Sequence, residues 1–253
     1  MRPSLPEVHT AGVAPTHSDP GLARTATTLP EVDALVAGCF ACPRLVAWRE
    51  RVARDKRASF AAQTYWGRGV PGFGDAHART VVVGLAPSAH GGNRTGRMFT
   101  GDPSGDVLVA ALHRVGYANQ PTSVSADDGL ELTGVRLVAP VRCAPPDNKP
   151  TPDERRTCAP YLARELELLA PTLRHAVALG AYGWQALLAT LAEQGWHVPR
   201  PRPRFAHAAT LDLTHDDGRT LRVHGCFHVS ARNTYTGLLT PAMLDDVLAA
   251  TLA

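Results

Sequence analysis

The 253-residue chain predicts an α/β fold, a mainly parallel sheet covered by helices on both faces. Three observations carry that expectation. Four short apolar runs, at residues 80–85, 135–139, 176–179 and 221–227, read as strands, and helical patterns lie between them. A loop rich in glycine and asparagine, residues 84–102, leaves the first run, and open α/β sheets hold their ligands beyond such strand ends.

Residues 1–28 are rich in Pro, Thr, Ser, Ala and Gly with no apolar period, and read as a disordered tail ahead of one domain over 29–253. A short helix is expected over 30–37, a longer one over 44–62, and a Gly/Pro-rich loop over 65–75. Past the first strand, Val107, Leu108, Ala111, Leu112 and Val115 share one helical face. Thr151-Pro152-Asp153-Glu154 reads as a capping box with proline at the first helical position, opening a helix that presents Leu162, Leu166 and Leu169. Trp184, Leu187, Leu188 and Leu191 mark the next helix, and 199–203 reads as a solvated loop. Thr240-Pro241 starts a last helix that buries Leu244, Val247 and Leu248.

Composition narrows the function only a little. Hydrophobic residues make up 44% and charged residues 19%, as in an ordinary globular protein, and no apolar run is long enough to span a membrane. No basic region followed by an apolar stretch stands at the start, so the expected location is the cytoplasm. The net charge of +3 is compatible with a polyanionic partner without requiring one. Lysine occurs only at 56 and 149, so arginine carries the positive charge; its forks suit phosphates, and a GC-rich genome gives the same bias.

Five cysteines stand at 39, 42, 143, 158 and 226. Cys39 and Cys42 form a C-x2-C pair, and fourteen residues separate Cys143 from Cys158. Few disulfides persist in a cytosolic chain, so the pattern favours a metal or redox site, either zinc or an iron–sulfur cluster. A zinc ribbon normally shows two C-x2-C knuckles, and the wide second gap suits the bulkier cluster better. Cys226, inside a predicted strand, reads as a small core residue.

Three ordered motifs then carry a resemblance. The loop GLAPSAHGGNRTGRMFTGD, the stretch VRCAPPDNKPTP at 141–152 and the sequence HVSARNT at 228–234 look like the uracil-DNA glycosylase superfamily, and the loop resembles its broad-specificity family 5. The resemblance covers roughly 36–250. It implies a three-layer α/β/α sandwich around a central four-stranded, mainly parallel sheet, and a [4Fe–4S] cluster on Cys39, Cys42, Cys143 and Cys158. It implies a monofunctional, monomeric enzyme that hydrolyses the N-glycosidic bond of uracil and of other deaminated or oxidised bases in DNA by base flipping.

Residue by residue, the resemblance makes His228 the group that stabilises the departing base, although the family more often has proline where Val229 stands. Phe99 becomes the stacking platform and Asn148 the reader of the base edge. Ala86 belongs to the substrate-binding loop, where His90 and Asn93 shape the loop or touch the substrate, and Arg232 and Asn233 belong to the segment entering the minor groove. Related branches hold a water-activating carboxylate just after the first glycine of the loop; here those positions are Leu85 and Ala86. Asp102 is the nearest carboxylate in sequence and is expected to position water or balance the sugar cation, although Asp102-Pro103 also reads as a helix cap. Arg142, Arg155 and Arg156 are candidates for phosphate contact, with an exposed helical face as the competing reading. Lys149 makes a poor Schiff-base nucleophile. The alternative function is a DNA-binding or cross-linking relative with weak hydrolysis.

Overall fold

A computed structural model describes residues 15–252. Six strands form one sheet in the order β1-β3-β2-β4-β6-β5: β1 (Phe73–Gly74), β2 (Thr80–Val83), β3 (Val135–Val138), β4 (His175–Leu179), β5 (Thr210–Thr214) and β6 (Thr220–Cys226). The four central strands are parallel, with Val83 opposite Val138 on one side and Ala178 on the other. They correspond to the four predicted strands. The two edges, β1 and β5, are antiparallel additions, so the expected four-stranded sheet has six strands. Neither edge is a continuous buried run: β1 is two residues long, and β5 alternates exposed side chains with the half-buried Leu211 and the buried Leu213 after a proline-rich loop.

Alternation along the strands builds the three layers. Val82, Leu137, Val177 and Leu179 face one core, filled by α4 (Pro103–Arg114) and α8 (Pro241–Ala249) through Leu108, Leu112, Leu244 and Leu248. Val81, Val83 and Val138 face the other, filled by α5 (Pro152–Leu169) and α6 (Gly180–Glu193) through Leu162, Leu166, Trp184 and Leu188. The capping box at Thr151 and Glu154 is present as the sequence predicts.

Ahead of the sheet, α1 (Leu29–Ala37) packs on α5 and α2 (Pro43–Asp55) follows. The expectation of a disordered tail is corrected for residues 15–28; residues 1–14 lie outside the described residues. Asp19 caps a 3-10 turn at Pro20–Thr25, and small Ala23 and Ala26 are buried against Val32, Val36 and Tyr161. His17 pairs with the Cys39 segment through Phe40 N–H to His17 O at 2.7 Å. Two buried alanines give no helical period, so composition alone misreads this segment.

All four parallel strands point their carboxyl ends the same way. The connections leaving β2, β3, β4 and β6 therefore gather at one edge of the sheet, around the place where chain order reverses between β2 and its two neighbours.

Candidate active site

A cleft of about 300 Å3 opens at that edge. Its wall includes Leu85, Ala86, Ser88, Phe99 and Asp102 from the loop after β2, Ala139 and Asn148 from the loop after β3, and His228 and Ser230 from the loop after β6. The sequence motifs thus meet although the last begins at His228, far along the chain from the end of the first at Asp102.

The loop after β2 is shaped by its own buried groups. One turn, α3 (Gly92–Thr95), lies within it. Arg94 donates to His90 O at 2.6 Å, Gln63 Oε1 at 2.6 Å and Gly101 O at 2.8 Å. Arg97 forks onto Asp128 with two 2.8 Å contacts. Asn93 is wholly buried and its Nδ2 donates to Arg49 O at 3.2 Å. His90 stands outside the cleft wall, with Nδ1 3.0 Å from the Tyr65 hydroxyl. Of the two roles expected for His90 and Asn93, shaping the loop or touching substrate, the structure shows the first: both build the loop and neither lines the cleft.

Phe99 is placed by backbone chemistry. Its φ of +50° is the left-handed conformation that bulky residues avoid, a strain of the kind found at binding sites. Gly84 at the strand end admits the ring: a Cβ there would stand 2.7 Å from Phe99 Cζ. The next loop uses the same conformation twice, at Asp147 (φ +54°) and Asn148 (φ +55°). Asparagine tolerates it, which sets Asn148 at the mouth of the cleft.

Asp102 caps a helix, as its place before Pro103 suggests, and also stands in the wall of the cleft. Its Oδ1 accepts from Ser104 N–H at 3.0 Å and Gly105 N–H at 2.9 Å, capping α4. Its Oδ2 accepts from the Ser88 hydroxyl, inside the cleft. No carboxylate comes from Leu85 or Ala86, which line the cleft with apolar atoms.

His228 follows β6 and is half-buried. Burial pushes its pKa below the ordinary histidine range, and the Asp102 carboxylate opposes that shift. At neutral pH the ring is a neutral imidazole, with one N–H to donate and no charge to desolvate. The neighbouring Val229, standing where the resemblance expects proline, is wholly buried in the core beside α8. Asn233 Nδ2 donates to His228 O at 2.8 Å, and Asn233 N–H reaches Ser230 Oγ at 3.5 Å. Asn233 thus organises the turn α7 (Ala231–Tyr235) and the histidine backbone. Arg232 is exposed beside it. The exposed apolar groups of this segment are Tyr235, 82% exposed, and Leu238, 48% exposed, which sequence reasoning passed over.

A second convergence adjoins the cleft, where Ala86 packs against the cluster of Leu45, Val141 and Cys143. Cys39, Cys42, Cys143 and Cys158 line one small pocket, with Leu45, Arg142 and Tyr161. Arg49 donates to Cys143 Sγ at 2.9 Å and to Cys39 O at 2.9 Å. Arg142 N–H donates to Cys158 Sγ at 3.3 Å. The Arg142 guanidinium is buried on Glu165 and leaves Nε and Nη1 without a partner, so it is not a phosphate contact. Arg155 lies over the Tyr182 ring at 5.8 Å, and Arg156 pairs with Asp153 on the exposed face of α5. Burial pushes the Cys42 thiol up to about 11, with Cys143 and Cys39 adding, and burial likewise raises Cys143 and Cys158. Among the described residues, no three Cys, His, Asp or Glu side chains form a group able to hold a single metal ion as they stand. Four soft donors around one pocket, flanked by buried guanidiniums, nevertheless fit an extended group held by thiolates. Cys226 is buried in the opposite core and takes no part.

Residues 71–251 match the family model described as the uracil DNA glycosylase superfamily. The chain is similar to the type-5 uracil-DNA glycosylase of Mycobacterium bovis, 53% identical over 89% of this chain and 81% of that protein. It is also similar to the type-5 uracil-DNA glycosylases of Thermus thermophilus, 50% identical over 84% of this chain and 92% of that protein, and of Pyrobaculum aerophilum, 43% identical over 84% and 87%.

Proposed function

The chain belongs to the uracil-DNA glycosylase superfamily, and on that premise we propose that it is a monofunctional glycosylase hydrolysing the N-glycosidic bond of uracil in DNA. One observation carries the proposal: Phe99, Asn148, His228 and Asp102 line a single cleft sized for one base. A base inside a duplex cannot reach such a cleft, so the nucleotide must leave the stack first. Phe99 offers its face for stacking, and the Asn148 amide offers both a donor and an acceptor to the base edge.

The chemistry needs charge stabilised at both ends of the breaking bond. As the C1′–N1 bond lengthens, its electron pair leaves with uracil and C1′ becomes cationic. A neutral His228 N–H stabilises the developing oxyanion of the base, and the Asp102 carboxylate faces the cation. Water adds through an oxygen lone pair to C1′ and loses one proton toward Asp102 Oδ2; that proton ends on the uracil anion. Because the cation forms before water is needed, a carboxylate at Leu85 or Ala86 is dispensable. The apolar wall at Leu85 and Ala86 also supports acceptance of other deaminated or oxidised bases, since no polar group at those two positions selects among them.

On the DNA side, Tyr235 and Leu238 are the protruding groups beside the cleft, with Arg232 on the same turn. They take the wedge role expected of Arg232 and Asn233: an apolar side chain fills the space the extruded base vacates. Cys39, Cys42, Cys143 and Cys158, which line one pocket, would hold a [4Fe–4S] cluster, and it would cross-link the start of the chain to its middle. No described helix is long and apolar enough to cross a membrane, in keeping with work on DNA in the cytoplasm.

The test is a duplex with one uracil per molecule, incubated with enzyme in excess. Alkali-labile abasic product is expected, and His228→Ala should yield it far more slowly. Binding without abasic product overturns the proposal in favour of a DNA-binding relative.

A further inference from the structure

Asp102 is held from two sides, and only one of them is needed to cap a helix. Capping α4 uses Oδ1 alone, through Ser104 and Gly105 N–H. Oδ2 is fixed separately by the Ser88 hydroxyl, which comes from the other end of the same loop. Ser88 Oγ also accepts from Gly91 N–H at 3.0 Å, so its one proton is directed at the carboxylate. Gly91 is required by this arrangement, because a Cβ there would collide with both Asp102 Oδ2 and Ser88 Oγ. Both side chains line the cleft that His228 enters.

We infer that Ser88 is a positioning residue for hydrolysis: its hydroxyl locks the rotation of the Asp102 carboxylate so that the free lone pair of Oδ2 faces the sugar and its water. Without Ser88, Oδ1 still caps the helix, but Oδ2 is free to turn away from the reacting carbon. Ser88 keeps its own proton throughout. The inference rests on the reading of Asp102 as the group that faces the cation and water. The competing role for Ser88 is local, a turn-forming hydroxyl that accepts from Gly91 and affects all ligands of the loop alike.

The experiment compares wild type with Ser88→Ala, Ser88→Cys, Ser88→Thr and Asp102→Asn in single-turnover excision from a uracil duplex. The same proteins are titrated with two uncleavable duplexes, one carrying a cationic pyrrolidine abasic-site analogue and one a neutral tetrahydrofuran analogue. Ser88→Ala should excise about 10- to 100-fold more slowly, the worth of one hydrogen bond to a charged group. It should also lose its preference for the cationic analogue by a similar factor while binding the neutral one as before. Ser88→Cys, which keeps the volume and weakens the donor, should follow Ala even if Ala fails to fold, and Ser88→Thr should restore rate and preference. A Ser88→Ala or Ser88→Cys protein with wild-type rate, or a slow one with unchanged preference, overturns the inference while a slow Asp102→Asn leaves the role of Asp102 standing. Asp102→Asn at the wild-type rate would overturn both.

Discussion

At the level of single residues, the site is a set of side chains whose backbone had to be made for them. Phe99 occupies a left-handed conformation at Gly84's expense, and Asn148 occupies another. His228 and Phe99 were legible because a motif fixed their place relative to a strand end. Asn93 was not, since its residue type announces polarity while its burial between Arg49 O and Ala89 O is a tertiary fact. Arg142 misled for the same reason: a guanidinium reads as a phosphate fork until Glu165 is found beneath it. Tyr235 had no apolar period to announce it, and only its exposure marks it. Tyr235→Ala should weaken binding to a duplex carrying a neutral abasic-site analogue about tenfold, the lower range of one base–aromatic stack. Excision from single-stranded uracil DNA should be unchanged, since no duplex gap is left to fill. Equal losses on both substrates would refute the wedge assignment.

At the scale of elements, what was legible was what packs regularly. The helices α4, α5, α6 and α8 bury the faces their sequences announce, and the four parallel strands are continuous apolar runs. The edge strands β1 and β5 and the turn at Pro20–Thr25 are held by pairing and by small buried residues, which leave no period. The cysteine pocket ties α1, α2, α5 and the loop after β3 together, and Arg49 links it onward. Its guanidinium serves Cys143 and Cys39, and its own carbonyl receives Asn93 from the substrate loop. Protein purified without oxygen should carry about four irons with matching sulfide per chain, with thiolate-to-iron absorption. Cys158→Ser should lose them and speed hydrogen exchange across the substrate loop. One zinc per chain, or full iron content in the serine variant, would contradict the cluster assignment.

For the whole molecule, the sheet separates two functions. Its carboxyl edge holds the cleft, and β4 and β6 carry a buried histidine pair within the sheet, with His175 Nδ1 3.2 Å from His224 Nε2. Burial, with His175 and Arg222 adding, holds His224 at about 4, and Asp212 only partly offsets them. The unfolded chain protonates this histidine near the ordinary ~6.5, so below that pH it binds more protons than the folded chain. Stability should therefore fall as pH drops from about 6.5 toward about 4, by up to ~3 kcal/mol, and level off below. Melting curves between pH 7.5 and 4 check this: His224→Gln should flatten the slope, and an unchanged slope would put the acid sensitivity elsewhere.

Single-turnover excision at saturating enzyme shows whether this cleft breaks the glycosidic bond of uracil through His228. Wild type and His228→Ala are compared on one uracil duplex, with melting temperatures measured in parallel. The variant should lose about 100- to 1,000-fold in rate, as for one oxyanion donor, at an unchanged melting temperature. Equal rates for the two proteins would contradict that role of His228.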